Sequence, residues 1–267
     1  MLKNLRAFQV DAFTENVFGG NPAVVVMLEA NLPDQTLLKI AQENAVSETA
    51  FLLRKSESYQ LRWFTPDIEM DLCGHATLAS AHVLFAELGY PGATIDFETL
   101  SGVLTVSRDN EGYLLDFPIR PGEKATLPIE IYDSLSIKPA EVYKARDYML
   151  VYKSEEDIMN IEINRSIFDE INLDPGGVII TAPGMDCDFV SRYFTPQSTI
   201  LEDPVTGSAH CTLAPYWWVR TGKNTMFARQ LSQRGGAMHC TMADGRIILK
   251  GNALTYSKGE IFIPTTQ

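Results

Sequence analysis

The sequence predicts an α+β protein of two pseudo-symmetric lobes, each a curved, mostly antiparallel sheet or barrel wrapped round a central apolar helix. Three observations carry this. First, Arg62-Trp63-Phe64-Thr65-Pro66 returns as Arg192-Tyr193-Phe194-Thr195-Pro196, and each copy leads to a glycine that opens an apolar helix. Pro66 and Pro196 lie 130 positions apart, Gly74 and Gly207 lie 133 apart, and Gly102 and Gly236 lie 134 apart, in a chain of 267 residues. A near-constant offset means two copies of one unit. Second, the two helices, at 74–88 and 207–221, are apolar on nearly every face, so each is surrounded by protein. Third, strands outnumber helices without the strict alternation of a parallel α/β sheet.

The elements follow in order. Residues from about Leu5 to Phe13 alternate as a strand, the turn-rich Gly19-Gly20-Asn21-Pro22 interrupts, and Ala23–Leu28 is a second, buried strand. Pro33-Asp34-Gln35-Thr36 starts a helix with Leu37, Leu38, Ile40, Ala41 and Ala45 on one face. Residues 48–53 and 59–64 read as strands, helix 74–88 ends at Gly89, and strands near 94–98, 102–108 and 113–117 complete the first lobe. The Pro- and Gly-rich Phe117–Glu123 stretch marks a boundary, giving lobes 1–120 and 121–267, with the last strand free to pair back onto the first lobe. The second lobe repeats the order: a short helix near 128–135, strands near 141–153, a helix near 165–171, strands at 177–181 and 189–194, helix 207–221 ending at Gly222, and strands through Ile263.

Composition bounds the function. Hydrophobic content of 45% and charged content of 21% are those of a globular protein. The net charge of −12 repels nucleic acid and anionic membranes, so neither is an expected partner. An anionic substrate would need a local positive potential. The four cysteines form no CxxC pair, and the N-terminal residues lack a signal-peptide core, which reads as a reduced, cytoplasmic protein. His82, His210-Cys211 and His239-Cys240 have no known zinc-ligand spacing, so no metal is expected, and His82 reads as a core histidine.

The chemistry points to the two helix starts. A glycine there lets a ligand approach the unpaired N–H groups, and two helix N-termini at one seam would hold an anion. Beside the first lie Cys73, Gly74 and His75; beside the second lie Asp203, Thr206, Gly207 and Ser208. Cys73 matches Thr206 and His75 matches Ser208 in the duplication. A matched pair of bases would suit a racemase, but this pair has diverged, which implies unequal roles. On general grounds Glu48 is a solvated strand residue, His75 and Ser208 are first-turn polar residues, and Asp203-Pro204 is a turn device. A serine-hydrolase reading fails because there is no GxSxG elbow.

In order and spacing, the motifs resemble the phenazine-biosynthesis PhzF-like family, with its diaminopimelate-epimerase-like fold, over nearly the whole chain. They are Phe8–Thr14, Gly20-Asn21-Pro22, Ser47-Glu48-Thr49-Ala50-Phe51, Phe64-Thr65-Pro66, Gly74-His75-Ala76-Thr77 and Glu202–Ala209. The resemblance implies an isomerase that moves a proton on a small carboxylate-bearing substrate without metal or organic cofactor, in a cleft between the lobes, and a homodimer. By motif, Glu48 would be the acid/base, with His75 and Asp203 completing the catalytic set. Asn21, Cys73, Gly74, Thr206, Gly207 and Ser208 would bind substrate.

Two alternatives stand beside this. In related epimerases cysteines at this place are the bases, so Cys73 could act as a thiolate in an epimerase or dehydratase, its pKa lowered by the helix N-terminus. Alternatively, the chain could be a non-catalytic binding or interaction protein that retains the cleft.

Overall fold

A computed structural model describes residues 2–109 and 111–264. The chain forms two compact units, one of Met1–Leu115 with Gly251–Gln267, the other of Asp116–Lys250. Among the described residues, no helix is long and apolar enough to cross a membrane.

The first unit contains β1 (Leu2–Ala12), β2 (Asn21–Leu28), α1 (Asp34–Asn44), β3 (Glu48–Arg54), β4 (Tyr59–Phe64), the short β5 (Glu69–Met70) and α2 (Gly74–His82). Then come β6 (Thr94–Thr99), β7 (Gly102–Asp109) and β8 (Gly112–Pro118). The second unit holds β9 (Glu123–Lys124), α3 (Ile129–Ser134), β10 (Glu141–Lys144), β11 (Tyr148–Val151), α4 (Glu155–Asn160), α5 (Arg165–Phe168) and β12 (Val178–Pro183). It continues through β13 (Phe189–Phe194), β14 (Glu202–Asp203), a 3-10 turn at Gly207–Ala209, α6 (His210–Thr221), β15 (Thr225–Gln230), β16 (Gly236–Ala243) and β17 (Arg246–Gly251). The chain then returns to the first unit as β18 (Ala253–Pro264), antiparallel to β1.

The duplication predicted from the offset is present in the strand ladders. In the first unit the order is β18-β1-β2-β3-β4-β6-β7-β8, antiparallel except at β2–β3 and β4–β6. In the second it is β9-β10-β11-β12-β13-β15-β16-β17, antiparallel except at β11–β12 and β13–β15. The parallel pairs fall at the same places for one reason. A parallel neighbour needs a crossover, and helices supply each one: α1 and α2 in the first unit, α4 with α5 and α6 in the second.

The repeated RxF motif is a structural clamp. Arginine and phenylalanine two apart on a strand share a face. Arg62 donates from Nε and Nη2 to Glu69 of β5, both at 2.7 Å, while its guanidinium lies 5.1 Å from the centre of the Phe64 ring. Arg192 repeats this with Glu202 of β14 at 2.7 and 3.0 Å, and with Phe194 at 4.9 Å. The clamp pins each short strand to the end of the strand before it and so fixes where the chain enters the helix.

All nine residues of α2 are buried, and α2 packs on β1, β2, β3 and β18. The opposite face of that sheet is covered by α1 through Leu37, Ile40 and Ala41, against Val24, Val26, Phe51 and Phe64. With both faces covered, β3 is buried from Glu48 to Leu53. In the second unit Leu150, Val178, Ile180, Val190 and Phe194 pack with Ile158 and Phe168 in a comparable core.

Several expectations are corrected. Ala45 is not on the buried face of α1 but is its exposed, left-handed C-cap (φ 50°). Helix 74–88 is α-helical only to His82 and widens to a π turn over Val83–Glu87, Leu88 N–H reaching back to Val83 O, before Gly89 (φ +66°) ends it. The second apolar helix begins as a 3-10 turn, and its last turn leaves the core: Trp217 is buried, but Trp218 is 41% and Val219 78% exposed. Trp218 instead gives its indole N–H to Asn224. The helix expected near 165–171 stops at Phe168, and α4 was not predicted although Ser154 and Asp157 form a capping box at its start. His82 is a core histidine, as expected, between the Tyr113 and Thr255 hydroxyls at 2.9 Å each.

Two predictions follow from backbone and burial. Gly20 and Gly222 both have positive φ (62° and 69°), but a Cβ on Gly20 would run into the Ala12 carbonyl oxygen, whereas nothing lies within 4 Å of one on Gly222. Gly222→Ala should cost about 1 kcal/mol of unfolding free energy and Gly20→Ala more than about 3, measured by denaturant titration. His210 is fully buried with Nδ1 2.9 Å from Thr206 O, and burial pushes its pKa down to about 4. The unfolded state therefore binds the extra proton first. Stability from this residue is complete above about pH 6.5 and falls between there and pH 4, with a slope approaching about 1.4 kcal/mol per pH unit. His210→Asn should flatten that part of the pH–stability curve; an unchanged slope would exclude this origin.

Candidate functional site

In the first unit the side chains converge because three elements begin beside one another. Asn21 opens β2, Glu48 opens β3, and Cys73 is the N-cap of α2, whose first residues are Gly74 and His75. The parallel β2–β3 register sets Ala23 opposite Glu48 and so holds the two strand starts together. His75 is at the centre, 2% exposed. Its Nδ1 lies 3.0 Å from Asn21 Nδ2 and 3.5 Å from Cys73 Sγ, and its Nε2 lies 3.1 Å from Glu48 Oε2.

The Glu48–His75 contact is close in distance but lacks hydrogen-bond geometry, leaving Oε2 and Nε2 as buried atoms without a hydrogen-bond partner among the described residues. Burial works to lower the His75 pKa, yet Cys73 and Glu48 together outweigh it, by electrostatics and hydrogen bonding, and hold the ring well above the ordinary histidine range. Burial, with Glu48 beside it, pushes the Cys73 thiol up to about 11, so the thiol keeps its proton at neutral pH and acts on the ring through its 3.5 Å contact with Nδ1. A protonated ring carries N–H at both nitrogens, Nε2 facing the Glu48 carboxylate as a charge contact. For the Asn21 amide to accept from a protonated Nδ1 it would turn by a half-rotation, exchanging Nδ2 for Oδ1 at that position.

This corrects one expectation. The helix N-terminus was to lower the Cys73 pKa, but complete burial and a neighbouring carboxylate dominate.

In the second unit Thr206 holds the N-cap position of the 3-10 turn, with extended backbone (φ −110°, ψ 92°) like that of Cys73 (φ −137°, ψ 114°). The surroundings differ. The Thr206 hydroxyl donates to Asp203 Oδ2, and its N–H donates to Gln230 Oε1 at 2.8 Å. Gln230 Nε2 in turn donates to Asp203 O at 2.7 Å. Gly207 and Ser208 are buried, and Arg146 Nη2 donates to Ser208 Oγ at 3.2 Å. Arg146 also pairs with Asp147 at 3.1 Å, and Asp147 accepts from Tyr193 OH and Gly177 N at 2.9 Å each.

The predicted residues thus form two clusters: Asn21, Glu48, Cys73, Gly74 and His75 in the first unit, and Asp203, Thr206, Gly207 and Ser208 in the second. Arg146 and Gln230 were missed. Neither lies in a motif; Arg146 sits in the turn between β10 and β11, and Gln230 is the last residue of β15.

Comparison with known proteins agrees with this architecture. The family model described as phenazine biosynthesis-like protein, PhzC-PhzF, matches residues 10–259. An uncharacterized isomerase of Pseudomonas aeruginosa is 43% identical over 258 residues, covering 96% of this chain and 98% of that protein. A crystal structure of a phenazine biosynthesis protein of the PhzF family from Enterococcus faecalis superposes with a TM-score of 0.90 at 45% identity, covering 98% and 100% of the two chains. A hydroxyproline epimerase from Agrobacterium vitis shares the fold alone, with a TM-score of 0.63 at 11% identity and coverage of 97% and 93%. With its duplicated epimerase-like fold and a family match across nearly its whole length, the chain belongs to the phenazine biosynthesis-like (PhzC-PhzF) family.

Proposed function

We propose that this protein is a cofactor-independent isomerase that moves a proton between carbon atoms of a small carboxylate-bearing substrate, with Glu48 as the acid/base. The carrying observation is the Glu48 carboxylate set 3.1 Å from a buried His75 ring at the start of an apolar helix. The family and the relative's name as an isomerase support the reaction class.

In this reading Glu48 takes a proton from a substrate carbon, and the C–H electrons move into the adjacent unsaturated system as an enolate-like anion. The same carboxyl returns the proton to a second carbon, so no net proton, electron or co-reactant is consumed. His75, protonated beside Glu48, offsets the charge on the carboxylate before abstraction and can supply a hydrogen bond to the anion after it. The first N–H groups of α2, at Gly74 and His75, have no intrahelical acceptor and suit the anion.

Asn21 positions the ring. In the second unit the N–H groups of Gly207 and Ser208, with the Arg146 guanidinium on Ser208 Oγ, form a donor set suited to a carboxylate, and we assign them substrate binding together with Thr206. Asp203, holding the Thr206 hydroxyl, is assigned to the same polar set. The Cys73-base alternative is disfavoured by a thiol raised to about 11, which leaves very little thiolate at neutral pH.

A screen of small unsaturated carboxylic acids in D2O, read by mass spectrometry, tests the reading. Glu48→Gln should cut carbon-bound deuterium uptake by about 10²–10⁴-fold, while Cys73→Ser keeps most of it. Loss confined to Cys73→Ser would transfer the base to the thiol. Tight carboxylate binding with no exchange in the unaltered protein would favour a binding protein.

The pH profile gives a second test. Because the His75 pKa is raised, its ring keeps its proton to higher pH than an ordinary histidine. Exchange should therefore fall by about tenfold per pH unit once the ring deprotonates, and His75→Gln should be slower with that limb removed.

A further inference from the structure

We infer that Glu48, Cys73 and His75 form a binding site for a thiophilic divalent cation of the Zn2+ class, and that such a cation silences the site. One ligand atom from each of the three residues lies within 4.8 Å of the others. Cys73 is 4%, His75 2% and Glu48 9% exposed, so the donors are already out of bulk water.

Two further observations point to a cation. Glu48 Oε2 and His75 Nε2 are buried and without a hydrogen-bond partner among the described residues, although they stand 3.1 Å apart. With the ring neutral, two lone pairs this close would repel, so the spot between them is filled either by the ring proton or by a cation that displaces it. Metal–ligand lengths of about 2.0–2.1 Å at a tetrahedral angle would place a carboxylate oxygen and an imidazole nitrogen roughly 3.3 Å apart, so the pair is near the required spacing. The second observation is Asn21. Metal-bound histidine generally donates its other ring N–H to an outer partner that fixes ring and tautomer, and the Asn21 amide, with Nδ2 at 3.0 Å from Nδ1, would fill that role once turned to offer its oxygen.

The donor set selects the metal. One sulfur, one imidazole and one carboxylate suit Zn2+ or Co2+ and do not suit Mg2+ or Ca2+, which take oxygen ligands. Three protein ligands leave a fourth position open, the pattern of accessible rather than structural zinc.

On binding, the S–H bond breaks, its proton passes to solvent, and the sulfur electron pair forms the metal–sulfur bond. The Nε2 proton leaves in the same way. Affinity should therefore rise with pH. The cation takes the place that a proton holds in the proposed mechanism, so it removes the carboxylate from proton transfer. The site itself rests on the three donors and Asn21, and its test does not require turnover.

Titrating the full-length protein with Co2+ alone should give a saturable spectrum with one equivalent bound: tetrahedral d–d bands in the visible and a thiolate-to-cobalt charge-transfer band in the near ultraviolet. Cys73→Ser should abolish the charge-transfer band while Cys187→Ser keeps it. Asn21→Ala should weaken binding by about 10-fold or more. Glu48→Gln offers a ligand deletion that does not touch a cysteine, and it should weaken binding by at least as much. Thermal melts establish that each variant is folded. No charge-transfer band in the unaltered protein, or a band that survives Cys73→Ser, would overturn the site. Loss of proton exchange in Glu48→Gln with an unchanged cobalt spectrum would leave the acid/base reading standing and remove this one.

Discussion

The architecture depends on a bidentate arginine–glutamate clamp used twice. Each helix start must arrive at a fixed place, because backbone N–H groups hold an anion only when aimed at it. A free loop between the strand and helix would not set that aim. Arg62 and Glu69, and again Arg192 and Glu202, tie a two-residue strand to the end of its neighbour with paired hydrogen bonds. The ion pairs are only partly exposed, each guanidinium lying over a phenylalanine, so water screens them less than a surface pair. The motif that announces the duplication is therefore not itself chemical. It delivers the N-cap residue, Cys73 or Thr206, to the start of its helix.

With the scaffold repeated, function comes from what the copies do not share. Cys73 and Thr206 occupy the same cap position with similar extended backbones. Thr206 is bound by Asp203 and Gln230, which spend its hydroxyl and N–H on the protein itself. The Cys73 side chain makes a long sulfur contact at 3.5 Å to a histidine that also meets Glu48. One start is a fixed polar scaffold, and the other collects three titratable groups.

Much of this was legible in the sequence, for identifiable reasons. The offset between two RxFTP copies is legible because both copies build the same clamp, and the parallel pairs follow from where the helices lie. Glu48 and His75 stood in recognisable motifs. What was not legible depended on tertiary context. Ala45 carries a helix-favouring side chain yet ends α1 in a left-handed conformation, against local preference. Trp218 and Val219 look like core residues, but α6 outruns the sheet that covers it. Arg146 was invisible because its meaning comes from Ser208, 62 positions away, and Gln230 because it reaches back to Thr206, 24 positions away. The Cys73 pKa was misjudged for the same reason: the sequence displays the helix start but not the complete burial that overrides it.

The proton inventory of the first cluster decides among the chemistries it could run. A buried carboxylate beside a neutral imidazole and a thiol would carry an uncompensated charge, which costs several kcal/mol. A raised histidine pKa removes that cost by keeping a proton on the ring next to Glu48. The thiol, raised by burial and by the same carboxylate, keeps its own proton. With a proton on the ring and another on the thiol, the glutamate mechanism proposed above asks neither group to ionise. Moving the base to Cys73 would require the thiol to ionise beside an existing carboxylate, with two negative charges facing one imidazolium. The arrangement therefore favours the glutamate unless a second positive charge enters, and a divalent cation would bring one while occupying the carboxylate itself.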